Sequence, residues 1–145
     1  MQIFKFLVLL LSIINISAFA NSTNRLGRDY EFIFFYSTDC QYCMKFSPVL
    51  KLYSDNTNIP VKAFVMGNGG VSPFFPNSNI VTQDVVDQFF SSGAKIAVPT
   101  LFILNKNNFH AYPVSSGALT YLELATRMNA LTPKILHNEN ILKEK

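Results

Sequence analysis

An α/β layered domain built on a mixed central sheet is the fold class this sequence predicts. Three observations carry the prediction. Residues Tyr30 to Tyr36, YEFIFFY, form an almost wholly apolar, aromatic and β-branched run, the pattern of a buried central strand. A segment of helical period and a second strand-like run follow it, which makes a βαβ crossover. Two further strand-like runs joined by the turn NKNN, then a last helical segment, make a hairpin followed by a helix.

Each element has its own signal. After Tyr36 the triplet STD breaks the strand, and Ser37 and Asp39 are helix-start residues. The segment from Cys43, CMKFSPVLKLYSD, has apolar residues at 46, 49, 50 and 53, which is helical spacing. Pro48 lies inside it and is expected to kink it. NTNIP ends the helix, and VKAFVM, from Val61, is the second strand. GNGGVSPFFPNSN, from Gly67 to Asn79, is a turn-rich loop of a length that is often functional in a compact domain. TQDVVDQFFSS opens on a Thr cap and presents Val85, Val86, Phe89 and Phe90 as an amphipathic helix that Gly93 ends. AVPTLFIL is a strand entered through Val98-Pro99. FHAYPV is a strand whose Pro113 marks an edge or a strand end. GALTYLELATRMNAL carries Leu119, Leu122, Ala125 and Met128 as the final helix. Residues 132–145, ending NENILKEK, read as a polar, solvated C-terminal tail.

The N-terminus reads as a secretory signal peptide over residues 1–20. Lys5 is a short basic region, Phe6 to Ile14 is uncharged and apolar, and Ala18-Phe19-Ala20 is an A-x-A cleavage site. The apolar run is shorter than the roughly 20 residues a spanning helix needs, so no membrane anchor is expected after cleavage. The remaining domain, residues 21–131, has the size of one ordinary domain. With 14 Phe and 6 Tyr in the chain it has ample material for one core. A net charge of +3, with the basic residues scattered, gives nucleic-acid binding no electrostatic support.

Two cysteines are present, Cys40 and Cys43, in the sequence CQYC. Export permits a disulfide, but a bridge closing so short a loop stabilises little through chain entropy. Four-ligand zinc is a poor alternative, because His110 and His137 are far apart and lack ligand spacing; no metal is expected. A redox pair has a physical logic. The pair falls at a strand-to-helix junction, with Cys40 at the helix N-terminus, where partial positive charge and unpaired N–H groups stabilise a thiolate. Cys40 is therefore expected to ionise below the free value of ~8.5 and to act as nucleophile and leaving group. Cys43, one turn on, is placed to resolve a mixed disulfide.

The CQYC after an aromatic strand, Pro48 downstream of it, and Val98-Pro99-Thr100 ahead of a strand together resemble the thioredoxin superfamily, over residues 28–131. More closely, FFYSTDCQYCMKFSPVLK, GNGGVSPFFPNSN and YPVSSGALTYLELATRM are similar to the TrbB-type thiol-disulfide isomerases of F-type conjugative pilus assembly. The resemblance implies a thioredoxin-like fold, a central mixed sheet flanked by helices, with a cis Val98–Pro99 peptide beside Cys40. It also implies a periplasmic thiol-disulfide oxidoreductase, an isomerase or oxidase acting on cysteine-containing envelope or conjugative-transfer proteins. Cys40 and Cys43 would be catalytic, and Val98, Pro99, Thr100, Gln41 and Tyr42 would line the substrate groove. A redox partner protein is implied, and no cofactor beyond the cysteine pair. A monomer is expected. Phe74 and Phe75, in the long loop, are candidates for an apolar substrate platform.

Two of its positions, Asp39 and Phe34, depart from the family pattern. Asp39 replaces the Trp common before the first cysteine, and its charge opposes thiolate formation at Cys40. Phe34 stands where many relatives carry a buried acid. Lys62, on the second strand, is a candidate to compensate. The alternative reading of the whole chain is a redox-inert thioredoxin-fold binding module of a secretion or pilus assembly.

Overall fold

The computed structural model of the chain describes residues 26–91 and 96–143. The expected signal peptide and the helix stop at Gly93 lie outside these residues. The order is β1 (Tyr30–Tyr36), α1 (Gln41–Thr57), β2 (Val61–Val65), β3 (Asn79–Ile80), α2 (Gln83–Phe89), β4 (Thr100–Asn105), β5 (Ala111–Ser116) and α3 (Tyr121–Lys143). The five strands form one mixed sheet, β3-β2-β1-β4-β5. β1 runs parallel to β2 and antiparallel to β4.

The central position of β1 explains its composition. Phe32, Phe34 and Tyr36 face one side, where Phe46 and Leu50 of α1 and Leu124, Met128 and Ile135 of α3 cover them. Ile33 and Phe35 face the other, against Phe64, Phe89, Phe90 and Phe102. From Phe32 to Tyr36 the strand is covered on both faces and apolar at every position, so the period-two alternation of a half-exposed strand is absent; Glu31, near its start, is only half-buried. Each large side chain so buried contributes about 1.5–3 kcal/mol of transfer free energy.

Several element limits differ from expectation, each for a local reason. β4 starts at Thr100, after the Val98–Pro99 peptide, which is cis. β5 starts at Ala111, because Phe109 turns the chain at a φ of 60°. β5 is an edge strand, as Pro113 implied, with a register shift opposite Leu101/Phe102. β3, two residues long, carried no sequence signal.

The largest correction concerns the C-terminus. Residues 132–143 are not a solvated tail; they continue α3 through Pro133, and Ile135 and Glu139 are buried. The apolar positions Leu124, Met128, Leu131 and Ile135 keep helical spacing past the polar composition that masks it. α3 opens on a reciprocal capping box: the Glu123 N–H donates to Thr120 Oγ1 at 3.3 Å, and Thr120 N–H donates to Glu123 Oε2 at 2.8 Å. Near its other end, Glu139 accepts from the Tyr112 hydroxyl at 2.7 Å and from Asn108 Nδ2 at 2.6 Å. Burial, then the bond to Glu139, pushes the Tyr112 phenol well above its ordinary value of 10.0. Among the described residues no helix is long and apolar enough to cross a membrane.

Candidate active site

β1 delivers the chain at Tyr36 to a tight turn, in which Cys40 N–H donates to the Ser37 carbonyl at 3.3 Å. The helix cap is Cys40 itself, rather than Ser37 or Asp39. Its backbone is extended (φ −93°, ψ 109°), and its Sγ accepts the Cys43 N–H at 3.1 Å. A sulfur thus takes the place usually held by a Ser or Asp oxygen, on one of the orphan N–H groups of the first turn. Cys40 and Cys43 are joined in a disulfide with Cα atoms 5.2 Å apart.

The two sulfurs have different surroundings. Cys43 is fully buried and belongs to the large aromatic core cluster, whereas Cys40 is only partly buried against it. Cys40 Sγ lies 3.7 Å from the Val98 carbonyl oxygen, which a reduced Cys40 thiol can meet as a donor. This carbonyl belongs to the cis Val98–Pro99 peptide. Thr100 Oγ1 donates to the Ala97 carbonyl at 2.6 Å, and Gly117 N–H donates to the Pro99 carbonyl at 2.7 Å, so the loop is held from both sides. Gln41 and Tyr42 stand exposed on the first turn of α1, Tyr42 at 67 %.

The fold therefore brings Cys40, Cys43, Val98, Pro99 and Thr100 together. It does not make a platform of Phe74 and Phe75. Phe75 is buried, its ring 5.5 Å from that of Phe34, and only Phe74 reaches solvent. Lys62 does not compensate for Phe34: it is exposed, with Nζ 5.7 Å from the Phe64 ring centroid, on the sheet face that α2 covers. Phe34 itself is wholly enclosed by Tyr36, Phe46 and Phe75. Among the described residues no group of three or more His, Cys, Asp and Glu is placed to hold a metal ion.

Two residues near the site escaped sequence reasoning. Tyr36 Oη accepts the Ser72 N–H at 2.9 Å and is 2.8 Å from Ser78 Oγ, tying the 67–79 loop to the end of β1. Gly69 of that loop packs against the turn before Cys40: a Cβ built on it would clash with Thr38 Oγ1. The run GNGG signals a loop, but no spacing in the sequence shows what it touches.

A parallel β-α-β joined to an antiparallel hairpin, with a CxxC disulfide capping the first helix and the carbonyl of the cis Val98–Pro99 peptide beside it, defines a protein of the thioredoxin superfamily. Within that class, residues 18–129 match the family described as TraF: F plasmid transfer operon protein, and the chain belongs to it. It is 32 % identical over 90 residues to Protein TrbB of Escherichia coli (strain K12), covering 62 % of this chain and 49 % of that protein. The chain thus spans about half the length of that relative. Among solved structures, a thioredoxin-family thiol:disulfide interchange protein from Chlorobium tepidum TLS has a TM-score of 0.56 at 11 % identity, over 76 % of this chain and 84 % of its own. A secreted disulfide oxidoreductase of Mycobacterium tuberculosis has a TM-score of 0.50 at 17 % identity, over 74 % and 86 %. These likenesses are of fold.

Proposed function

We propose that this chain is an exported, periplasmic thiol-disulfide isomerase that acts on cysteine-containing envelope or conjugative-transfer proteins. The observation that carries the reading is the asymmetry of the pair. Cys40 is reachable and sits on an N–H of a helix N-terminus, which favours its thiolate and its departure as a leaving group. Cys43 is buried in apolar surroundings, which disfavour its ionisation. The one buried carboxylate among the described residues, Glu139, bonds Asn108 of the β4–β5 turn and Tyr112 of β5, at the other end of the sheet.

The chemistry follows from that asymmetry. In the reduced protein, Cys40 thiolate attacks one sulfur of a substrate disulfide. A Cys40–substrate disulfide forms and the other substrate sulfur leaves as thiolate. A second substrate thiolate then attacks the mixed disulfide, re-forming a different substrate bridge and returning Cys40 as thiolate, with no net transfer of electrons. Attack by Cys43 instead would release the substrate as a dithiol and leave the oxidised pair, a two-electron reduction of the substrate. Slow ionisation of Cys43 delays that escape and gives the isomerising step time. A redox partner protein sets the pair's resting state, and the chemistry requires no metal or organic cofactor. Export rests on the signal-peptide reading of residues 1–20, and the conjugative setting on the family.

The test is a pair of measurements. Equilibrated with glutathione buffers, Cys40–Cys43 should show a potential of roughly −120 to −230 mV, the range of labile catalytic pairs. Cys43→Ser should accumulate mixed disulfides through Cys40 with a scrambled multi-disulfide protein. A potential below about −300 mV, with no adduct on Cys43→Ser, would make the bridge inert and the chain a binding module.

A further inference from the structure

The segment Gly67–Val71 is fastened at both ends to one residue. Met66 N–H donates to the Tyr36 main-chain carbonyl at 2.8 Å, and Ser72 N–H donates to the Tyr36 hydroxyl at 2.9 Å. The hydroxyl is in turn 2.8 Å from Ser78 Oγ, which donates to the Phe75 carbonyl at 2.6 Å. Tyr36 is fully buried, so these fastenings are rigid. Between them the chain is exposed from Gly67 to Val71. Gly67 and Gly70 have φ values of 81° and 85°, a conformation that favours glycine and suits a hinge.

The crown of this segment lies on the turn that leads into Cys40. Gly69 meets the Thr38 hydroxyl, and its added Cβ would lie 3.5 Å from Asp39 Oδ1. Thr38 Oγ1 is buried there and has no hydrogen-bond partner among the described residues. A hydroxyl buried without a partner carries a desolvation cost that a new partner relieves. The segment follows β2 and the cis-proline loop precedes β4, while β1 lies between those strands. The two therefore flank the Cys40 turn on opposite sides.

We infer that Gly67–Val71 is a strap that lifts off Thr38 when an extended, cysteine-bearing polypeptide docks, leaving the Thr38 hydroxyl to hydrogen-bond that peptide's main chain two residues before Cys40. The recognition is of backbone, so it tolerates varied substrate sequences and does not act on a small disulfide. The inference rests on the exchange chemistry proposed above. Lifting costs free energy in the empty protein, so the strap lowers apparent peptide affinity by the fraction of molecules that are open.

Two substitutions separate these roles with opposite signs. Thr38→Val keeps the side-chain shape and removes only the unpartnered hydroxyl. Its Tm should not fall, and its KM for a disulfide-bonded peptide should rise about tenfold, the worth of one hydrogen bond, with kcat nearly unchanged. Gly69→Ala puts a methyl where the hydroxyl now sits. Whether the crown lifts or Thr38 turns about χ1, the hydroxyl is uncovered, and the peptide KM should fall by about threefold or more. Each effect is read as the ratio of kcat/KM for the peptide to that for hydroxyethyl disulfide, which cancels changes in Cys40 reactivity. If both variants move the ratio in the same direction, or neither moves it beyond about twofold, the strap is wrong while the oxidoreductase reading stands. A wild-type protein inert toward both substrates would overturn the reading and the strap together.

Discussion

At the end of the sheet where β1 finishes, the buried reactive group is a sulfur, Cys43, set among aromatic rings with Phe34 wholly enclosed nearby. At the end where β1 begins, Tyr30 and Asn105 pair across the strands, and the adjoining buried group is the Glu139 carboxylate. Each carboxylate oxygen has a donor, the Tyr112 hydroxyl on Oε1 and Asn108 Nδ2 on Oε2, and His110 Nδ1 lies 4.0 Å from Oε1. Bonds from two different segments to one buried carboxylate tie the end of α3 to the β4–β5 hairpin. The sulfur end is the reverse: a half-open Cys40 is held by one N–H and faces one carbonyl. The difference teaches that burial of a titratable group does not by itself mark a site. What marks it is a reactive atom within reach of solvent beside the buried one, as Cys40 is beside Cys43.

Moving a carboxylate from one end to the other tests this contrast most severely. Phe34→Asp removes a ring that packs on three others and buries an unpaired acid. It should cost on the order of 3–5 kcal/mol in chemical denaturation. In the folded fraction it should shorten the lifetime of the Cys40 mixed disulfide, by giving the Cys43 proton an acceptor. An unchanged lifetime in rapid-quench trapping would mean that Cys43 ionisation does not limit resolution.

Emptying the other end should have the complementary result. Glu139→Ala leaves the Tyr112 hydroxyl and Asn108 amide without their acceptor, at about 1–3 kcal/mol for the buried group left unsatisfied. Its exchange rate with a small disulfide should stay at the wild-type level. A rate that falls with Glu139 would break the separation of the two ends.

The smallest effect is alkaline. The folded protein holds the Tyr112 proton well above the ordinary phenol value, and burial raises Tyr53 as well. Above about pH 10 the unfolded chain sheds these protons while the folded chain keeps them. The stabilisation is complete below that pH and is lost as pH rises through the raised folded values. Tm should therefore be level up to about pH 10 and fall beyond it, less steeply in Tyr53→Phe. A Tm that rises above pH 10 would reverse the sign.

What the sequence made legible follows from how local each cause is. β1 was readable because a strand covered on both faces leaves a nearly unbroken apolar run, interrupted in Tyr30–Tyr36 only by Glu31. The CxxC was readable because its chemistry is carried by residue type and spacing, and the cis Val98–Pro99 peptide was expected only through the family resemblance. The Tyr36 hydroxyl was not, because its partners Ser72 and Ser78 lie 36 and 42 positions away. Phe74 and Phe75 are alike in composition, and only packing against Phe34 separates them. The last turns of α3 were hidden by polar composition, although the spacing from Leu124 to Ile135 was there to be read.

The edges of the sheet have a consequence of another kind. One edge strand, β3, is two residues long, and the other, β5, is interrupted by an exposed Pro113 and a shifted register. Neither offers a long row of open N–H and C=O groups on which a foreign strand can nucleate. In the function proposed above, the protein would meet incompletely folded clients, with sticky segments at every encounter. With both borders blunted, it is protected from being drawn into its clients' aggregates.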